Sequence, residues 1–148
     1  MLKVLIADDE EKICQLIEKL IDWQALDMKL SGVANNGIEA LEKIEALSPD
    51  VVITDIQMPG LDGLEVCRFV YETYPETQVI LLTAHSEFEY ARAAVKYNAC
   101  AYVLKVSIIE ELPRAVEKAA KELESCHKKA EQKGQKDKKE SGTLYLQM

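Results

Sequence analysis

Five residues carry most of the chemistry this sequence can offer: Asp8, Asp9, Asp55, Thr83 and Lys105. Each stands at or just past the end of a short apolar run. In a parallel α/β sheet, ligands bind outside the carboxyl ends of the strands, where strand order reverses. Runs laid side by side would therefore bring three carboxylates, one hydroxyl and one ammonium to a single rim. Three crowded acids repel one another unless a cation intervenes, and oxygen ligands of this kind suit Mg²⁺, which keeps several waters and accepts one or two carboxylates. Asp55 is a candidate nucleophile because a carboxylate can attack phosphorus. The metal and Lys105 could neutralise incoming phosphoryl oxygens, and Thr83 could hydrogen-bond one of them.

The elements that must position these residues are legible as five apolar runs alternating with five stretches of helical period. The runs are residues 3–7 (KVLIA), 29–34 (KLSGVA), 51–55 (VVITD), 78–83 (QVILLT) and 101–105 (AYVLK). Val4 to Ala7, Val51 to Ile53 and Val79 to Leu82 are continuously apolar, as strands covered on both faces should be. Between the runs, Cys14, Leu16, Ile17, Leu20 and Ile21 mark one helix face. Ile38, Leu41, Ile44 and Leu47 mark a second, closed by Ser48-Pro49, and Leu64, Val66, Cys67, Val70 and Tyr71 a third, closed by Pro75. Residues 87–97 give a fourth helix and the stretch after Ser107 a fifth. The pattern predicts α/β, a (βα)₅ flavodoxin-like fold: a five-stranded parallel sheet with helices on both faces. In the fifth helix, Ser107 and Glu110 look like a capping box, yet that start puts Pro113 too deep to spare its missing N–H. The helix is expected to begin nearer Glu111 or to kink.

The chain has 148 residues, 48% of them hydrophobic, enough for one core of ordinary size. No apolar run approaches the roughly 20 residues of a membrane span, and the start MLKVLIADDE is too short for a secretory signal. A cytoplasmic setting is expected. Cys14, Cys67, Cys100 and Cys126 are far apart, without a CxxC pair, and are read as buried, reduced thiols. Residues 1–120 hold 11 basic against 21 acidic side chains, a net of −10, whereas residues 121–148 carry +2. An acidic body argues against direct binding of nucleic acid and is compatible with a carboxylate site for a cation. The domain is placed at residues 1–120. Residues 121–148 are a charged extension, either a frayed helix or a linker, and the terminal TLYLQM is too short for a domain and is left open as native or appended.

ADDE at 7–10, TDIQMPGLDG at 54–63, LLTAH at 81–85 and AYVLK at 101–105 together resemble the receiver domain of two-component response regulators, over roughly residues 2–120. The resemblance implies a switch phosphorylated on Asp55 by a sensor histidine kinase. It implies that Asp9 binds Mg²⁺ directly, Asp8 through water, and that Asp55 and the Gln57 backbone carbonyl complete the metal site. Lys105 would pair with Asp55 at rest and with the phosphoryl group afterwards, joined there by Thr83 and the Ala84 backbone N–H. Thr83 and Tyr102 would then be the switch, relaying the state to the surface formed by residues 86–120, which could also serve a homodimer. Such a domain catalyses only its own phosphorylation and dephosphorylation. Residues 21–44 and 85–96 look most like receivers fused to AraC-type DNA-binding domains, so DNA and transcription would be reached only through an output domain absent from this sequence.

Two positions depart from the commonest pattern of that family. Val106 follows Lys105 where a proline, often cis, is usual; a cis bond before Val would cost about 2.5–4 kcal/mol, so a trans bond and an altered loop are expected, with Lys105 reaching the site less directly. In that family the positions of Gln57 and His85 flank the path of the attacking water, so the resemblance implies that they set phosphoryl lifetime, although His85 alone is more simply a solvated loop residue. Met58 reads as packing. Taken singly, Asp8 and Asp9 could merely stop a strand and cap a helix, and Asp55 could be a turn residue before Pro59-Gly60. Two other functions fit less well: an interaction module with the same fold that signals without phosphate, and an aspartyl phosphohydrolase, which wants a second Asp where this chain has Gln57.

Overall fold

The computed structural model describes residues 1–136, with side chains through Ser125. The expectations placed on residues 137–148, including the TLYLQM tail, lie outside the described residues. The strands are β1 (Leu2–Ala7), β2 (Met28–Ala34), β3 (Val51–Asp55), β4 (Gln78–Thr83) and β5 (Ala101–Leu104). They pair in parallel in the order β2-β1-β3-β4-β5, so strand order reverses between β1 and β3. This is the five-stranded (βα)₅ arrangement expected from the alternating pattern.

The helices are α1 (Glu11–Leu20), α2 (Gly37–Leu47), α3 (Gly63–Thr73), α4 (Phe88–Lys96) and α5 (Ile108–Lys136). Strand side chains alternate between two cores. Val4, Ile6, Val51, Ile53, Ile80 and Leu82 pack with Cys14 and Ile17 of α1 and Leu112, Val116 and Leu123 of α5. Leu5, Ala7, Val52, Val79 and Leu81 pack with Ala40 and Ile44 of α2, Val66, Cys67 and Val70 of α3 and Ala94 of α4. Burial on both faces explains why the central runs are apolar without alternation. Cys14, Cys67 and Cys100 are buried and unpaired, as read from their spacing.

Three local expectations need correction. Ile38 is 58% exposed, because α2 turns Gly37, Ala40 and Ile44 inward. The helix has to follow Gly37, whose missing Cβ lets the Leu61 carbonyl approach to 1.8 Å of where that atom would stand. Tyr71 likewise stands largely outside the core at 42% exposure. The fifth helix starts at Ile108, not near Glu111, with Pro113 inside it and a 3₁₀ turn (Lys105–Ser107) just before. Burying Ile108 one turn before the buried Leu112 favours the earlier start. The donor that Pro113 lacks belongs to a surface turn, with Ile109 exposed, where water can replace it. Beyond Glu124 the backbone continues helical to Lys136.

Gly63 fixes the loop after β3. Its N–H donates to the Ile56 carbonyl at 2.8 Å, and a Cβ there would lie 2.0 Å from the Asp55 carbonyl oxygen. Asp62 caps α3 by accepting from the Glu65 N–H at 2.9 Å, so the helix begins directly beneath the end of β3. Gly63→Ala is therefore expected to cost about 2 kcal/mol or more of unfolding free energy in urea. Gly32→Ala, facing only movable side chains at 3.1 Å and beyond, should cost less than half of that. Equal losses would show that the Gly63 contact is not the constraint.

Candidate functional site

Strand register does most of the positioning. Ala7 pairs with Thr54, Asp55 with Leu82 and Thr83 with Leu104. One residue beyond each pairing, Asp8, Asp55, Thr83 and Lys105 line the carboxyl edge of four adjacent strands. Asp8 is held there by its own turn, its Oδ1 accepting the Glu10 N–H at 2.8 Å. The acid pair therefore does not cap α1: its N-cap is Glu10, which makes no side-chain cap bond.

Asp8 and Asp55 are buried and Asp9 is exposed, and carboxylate oxygens of the three lie within 4.8 Å of one another. The Lys105 ammonium stands among them, 2.9 Å from Asp8 Oδ2, 3.1 Å from Asp55 Oδ2 and 2.9 Å from Glu10 Oε1. The bond before Val106 is trans, as expected, since the described residues contain no cis peptide. The 3₁₀ turn nonetheless delivers Lys105 directly to Asp55, so the expected loss of reach does not occur; Val106 itself points outward, 82% exposed.

One ammonium cannot satisfy this many acids. Burial raises the Asp8 carboxyl to about 6, and the Asp55 charge adds to the rise, while the Glu10 N–H and Lys105 oppose it. Asp55 is likewise raised by burial, against the pull of Lys105 and the Gln57 N–H. Burial alone would lower the Lys105 ammonium, but Glu10, Asp8 and Asp55 outweigh it and hold the group above its ordinary range. Asp8 Oδ2 is close enough to Lys105 for ionic attraction yet receives no hydrogen bond of good geometry. A buried carboxylate oxygen with no well-directed hydrogen bond, set in a cluster of oxygen ligands, fits a hard divalent cation such as Mg²⁺.

Thr83 is fully buried, and its hydroxyl donates to the His85 carbonyl at 2.9 Å and accepts the His85 N–H at 3.2 Å. It is thus engaged with the β4–α4 loop. Tyr102, half-buried on β5, donates to the same carbonyl at 3.4 Å. Ala84 is exposed directly after β4, and the His85 side chain is exposed. Met58 packs into the core facing α2, α3 and α4. Gln57 donates its side-chain Nε2 to Tyr90 Oη at 3.0 Å. The sequence reading missed Glu10 as a partner of Lys105, and Tyr90 as a partner of Gln57. Glu10 follows the acid pair and could have been suspected from the run ADDE, but nothing local signals a bond that spans from β3 to α4.

The chain matches the family model for the response regulator receiver domain over residues 4–117. It is 42% identical over 131 residues to the uncharacterized transcriptional regulatory protein YesN of Bacillus subtilis, covering 87% of this chain and 36% of that protein. It is 40% identical over 124 residues to the positive alginate biosynthesis regulatory protein of Pseudomonas aeruginosa, covering 81% and 48%. The chain therefore spans less than half the length of these curated relatives. Among solved structures, it is similar to the receiver domain of AraT, a response regulator from Geobacillus stearothermophilus, at TM-score 0.74 and 35% identity, covering 87% of this chain and 98% of that one. It is also similar to a two-component transcriptional regulator AraC from Clostridium phytofermentans, at TM-score 0.76 and 29% identity, covering 87% and 99%.

The stability that protonated Asp8 contributes is fully present below its unfolded value of 3.8 and is lost as pH rises through about 6. Asn at this position imitates the protonated form at every pH. In the presence of a chelator, Asp8→Asn should melt several degrees above the wild type at pH 7 by scanning calorimetry, with the gap closing as pH falls below 6. A variant that melts lower than the wild type at pH 7 would show that the ionised carboxylate is favoured there.

Proposed function

The chain belongs to the response-regulator receiver family, and on that premise we propose that Asp55 is the residue that a sensor histidine kinase phosphorylates. The observation that carries the proposal is the buried Asp55 carboxylate facing the Lys105 ammonium at 3.1 Å, inside a cluster of three acids. As a receiver, the domain signals by phosphorylation and catalyses only its own gain and loss of the phosphoryl group.

Asp9, Asp55 and the Gln57 backbone carbonyl would hold Mg²⁺, with Asp8 acting through water, and the ion when bound supplies positive charge to the phosphoryl oxygens. The remaining work falls to the chain. Asp55 Oδ attacks phosphorus, and the donor's nitrogen leaves with the bonding electrons. Lys105 shifts its contact from the carboxylate to a phosphoryl oxygen, and the Ala84 N–H donates to another. The dianionic group then draws the Thr83 hydroxyl away from the His85 carbonyl, which leaves Tyr102 as that carbonyl's remaining side-chain donor.

The Thr83 and Tyr102 rearrangement biases α4, β5 and the first turns of α5, the 86–120 surface. Two features support this as the output face. Ala94 is the only buried residue of α4, so the helix is lightly anchored. Phe88, Ala91 and Val95 lie along one side of it, with Phe88 77% and Val95 83% exposed. A homodimer through this face is part of the proposal, as is a DNA-binding, transcription-regulating partner region in a longer protein. The name of the Bacillus subtilis relative, a transcriptional regulatory protein, and the greater length of both curated relatives support that reading. We assign the receiver to residues 1–120 and treat the rest as a connection. A cytoplasmic setting follows from partnership with a kinase of this class; no helix among the described residues is long and apolar enough to cross a membrane.

Incubation with Mg²⁺ and a small acyl-phosphate donor should add one phosphoryl group by intact mass. The gain should be absent in Asp55→Asn, and chelation of Mg²⁺ should slow it by about a hundredfold or more. A gain that survives Asp55→Asn, or no gain in the wild type, would remove the assignment.

A further inference from the structure

Beside Asp9 the surface opens into a cavity of about 500 Å³, lined by Asp9, Gln57, Met58, Pro59, Asp62 and Tyr90 among others. Every lining residue but one comes from the β1 end or the loop after β3. The exception is Tyr90, which reaches across from α4. Its hydroxyl accepts from Gln57 Nε2 at 3.0 Å. The paired side chains therefore bridge this cavity, one from the loop that follows Asp55 and one from α4.

Gln57 stands two residues after Asp55, in the loop that follows β3. The hydrogen bond to Tyr90 thus joins the loop that follows Asp55 to α4. It shares no atom with the path through Thr83, His85 and Tyr102. Ala94 is the only buried residue of α4, and near the start of the helix Tyr90 adds partial packing against the core and the hydrogen bond from Gln57.

We propose that Tyr90 is a positioning residue for dephosphorylation: by holding the Gln57 carboxamide across this cavity, it lengthens the life of the phosphoryl group on Asp55 and couples that lifetime to the placement of α4. The inference rests on the phosphoacceptor reading given above. In the step concerned, a water oxygen attacks phosphorus and the P–O bond to Asp55 breaks. The carboxylate leaves with the electron pair, and the water's proton passes to solvent as inorganic phosphate departs. While Gln57 Nε2 donates to Tyr90, it is not free to orient that water, and the paired side chains narrow its route. Releasing the carboxamide lifts both restrictions. Movement of α4 by a bound partner would release or tighten the same bond, so a partner on the output face would change how long the signal lasts.

The test uses the full chain as wild type, Tyr90→Phe, Gln57→Ala and the double variant. Each is phosphorylated with Mg²⁺ and a small acyl phosphate, freed of donor, and followed by intact mass. Tyr90→Phe keeps the ring and removes only the hydroxyl. It should lose the phosphoryl group about fivefold faster than wild type, as expected for one released hydrogen bond. In the Gln57→Ala background the same substitution should change nothing. That interaction between the two positions is a readout that a purely structural role for Tyr90 would not produce. Equal lifetimes for wild type and Tyr90→Phe, or an acceleration that persists without Gln57, overturn the inference and leave the phosphoacceptor assignment intact. No mass gain in any form removes the assignment and the inference together.

Discussion

The Lys105 ammonium, set among Asp8, Asp55 and Glu10, is the interaction on which the rest of this structure depends. Burying a carboxylate is costly unless charge and hydrogen bonds compensate it, and here two acids are buried at the edge of a sheet with one cation between them. The compensation is incomplete. Asp8 rises to about 6 and retains an oxygen without a directed donor. A site in this condition is poised to gain positive charge from a metal ion. It is equally poised to respond when an anionic group on Asp55 competes for Lys105.

Everything around the cluster serves to hold that imbalance in place. The parallel register brings the ends of β1, β3, β4 and β5 into one line, and the two cores fix the strands from both faces. Gly63 allows α3 to start against the backbone of Asp55, and the 3₁₀ turn after β5 aims Lys105 inward. The packed core therefore surrounds Asp55 closely, whereas α4 buries only Ala94. Tight anchoring around Asp55 and lighter anchoring at α4 suit the two-state signal proposed above, because a local change of charge must move something.

Much of this was legible in the amino-acid sequence. The apolar runs located all five strands, and the residues that end them, Asp8, Asp55, Thr83 and Lys105, were read as one rim because each stands at the carboxyl end of a run in a parallel sheet. What could not be read depends on geometry that has no local period. Ile38 fits a helical apolar stripe, but the close approach of Leu61 to Gly37 turns α2 so that it faces outward. Pro113 obeys the rule against helix interiors only until the burial of Ile108 is weighed against one lost bond. Val106 suggested a displaced Lys105, yet a trans bond and a 3₁₀ turn deliver the ammonium to Asp55 at 3.1 Å. Glu10 and Tyr90 were missed because their partners, Lys105 and Gln57, are far away in sequence and meet them only once the sheet has formed.

The central claim is that Lys105 occupies, incompletely, the charge deficit that a divalent cation is meant to fill. Calorimetric titration of Mg²⁺ into the wild type and into Lys105→Met tests it most directly, since Met keeps the bulk of the side chain and removes only its charge. If ammonium and metal share the same oxygens, removing the ammonium should tighten Mg²⁺ binding by about tenfold or more. Unchanged or weaker binding in Lys105→Met would contradict the idea that the two cations answer the same buried carboxylates.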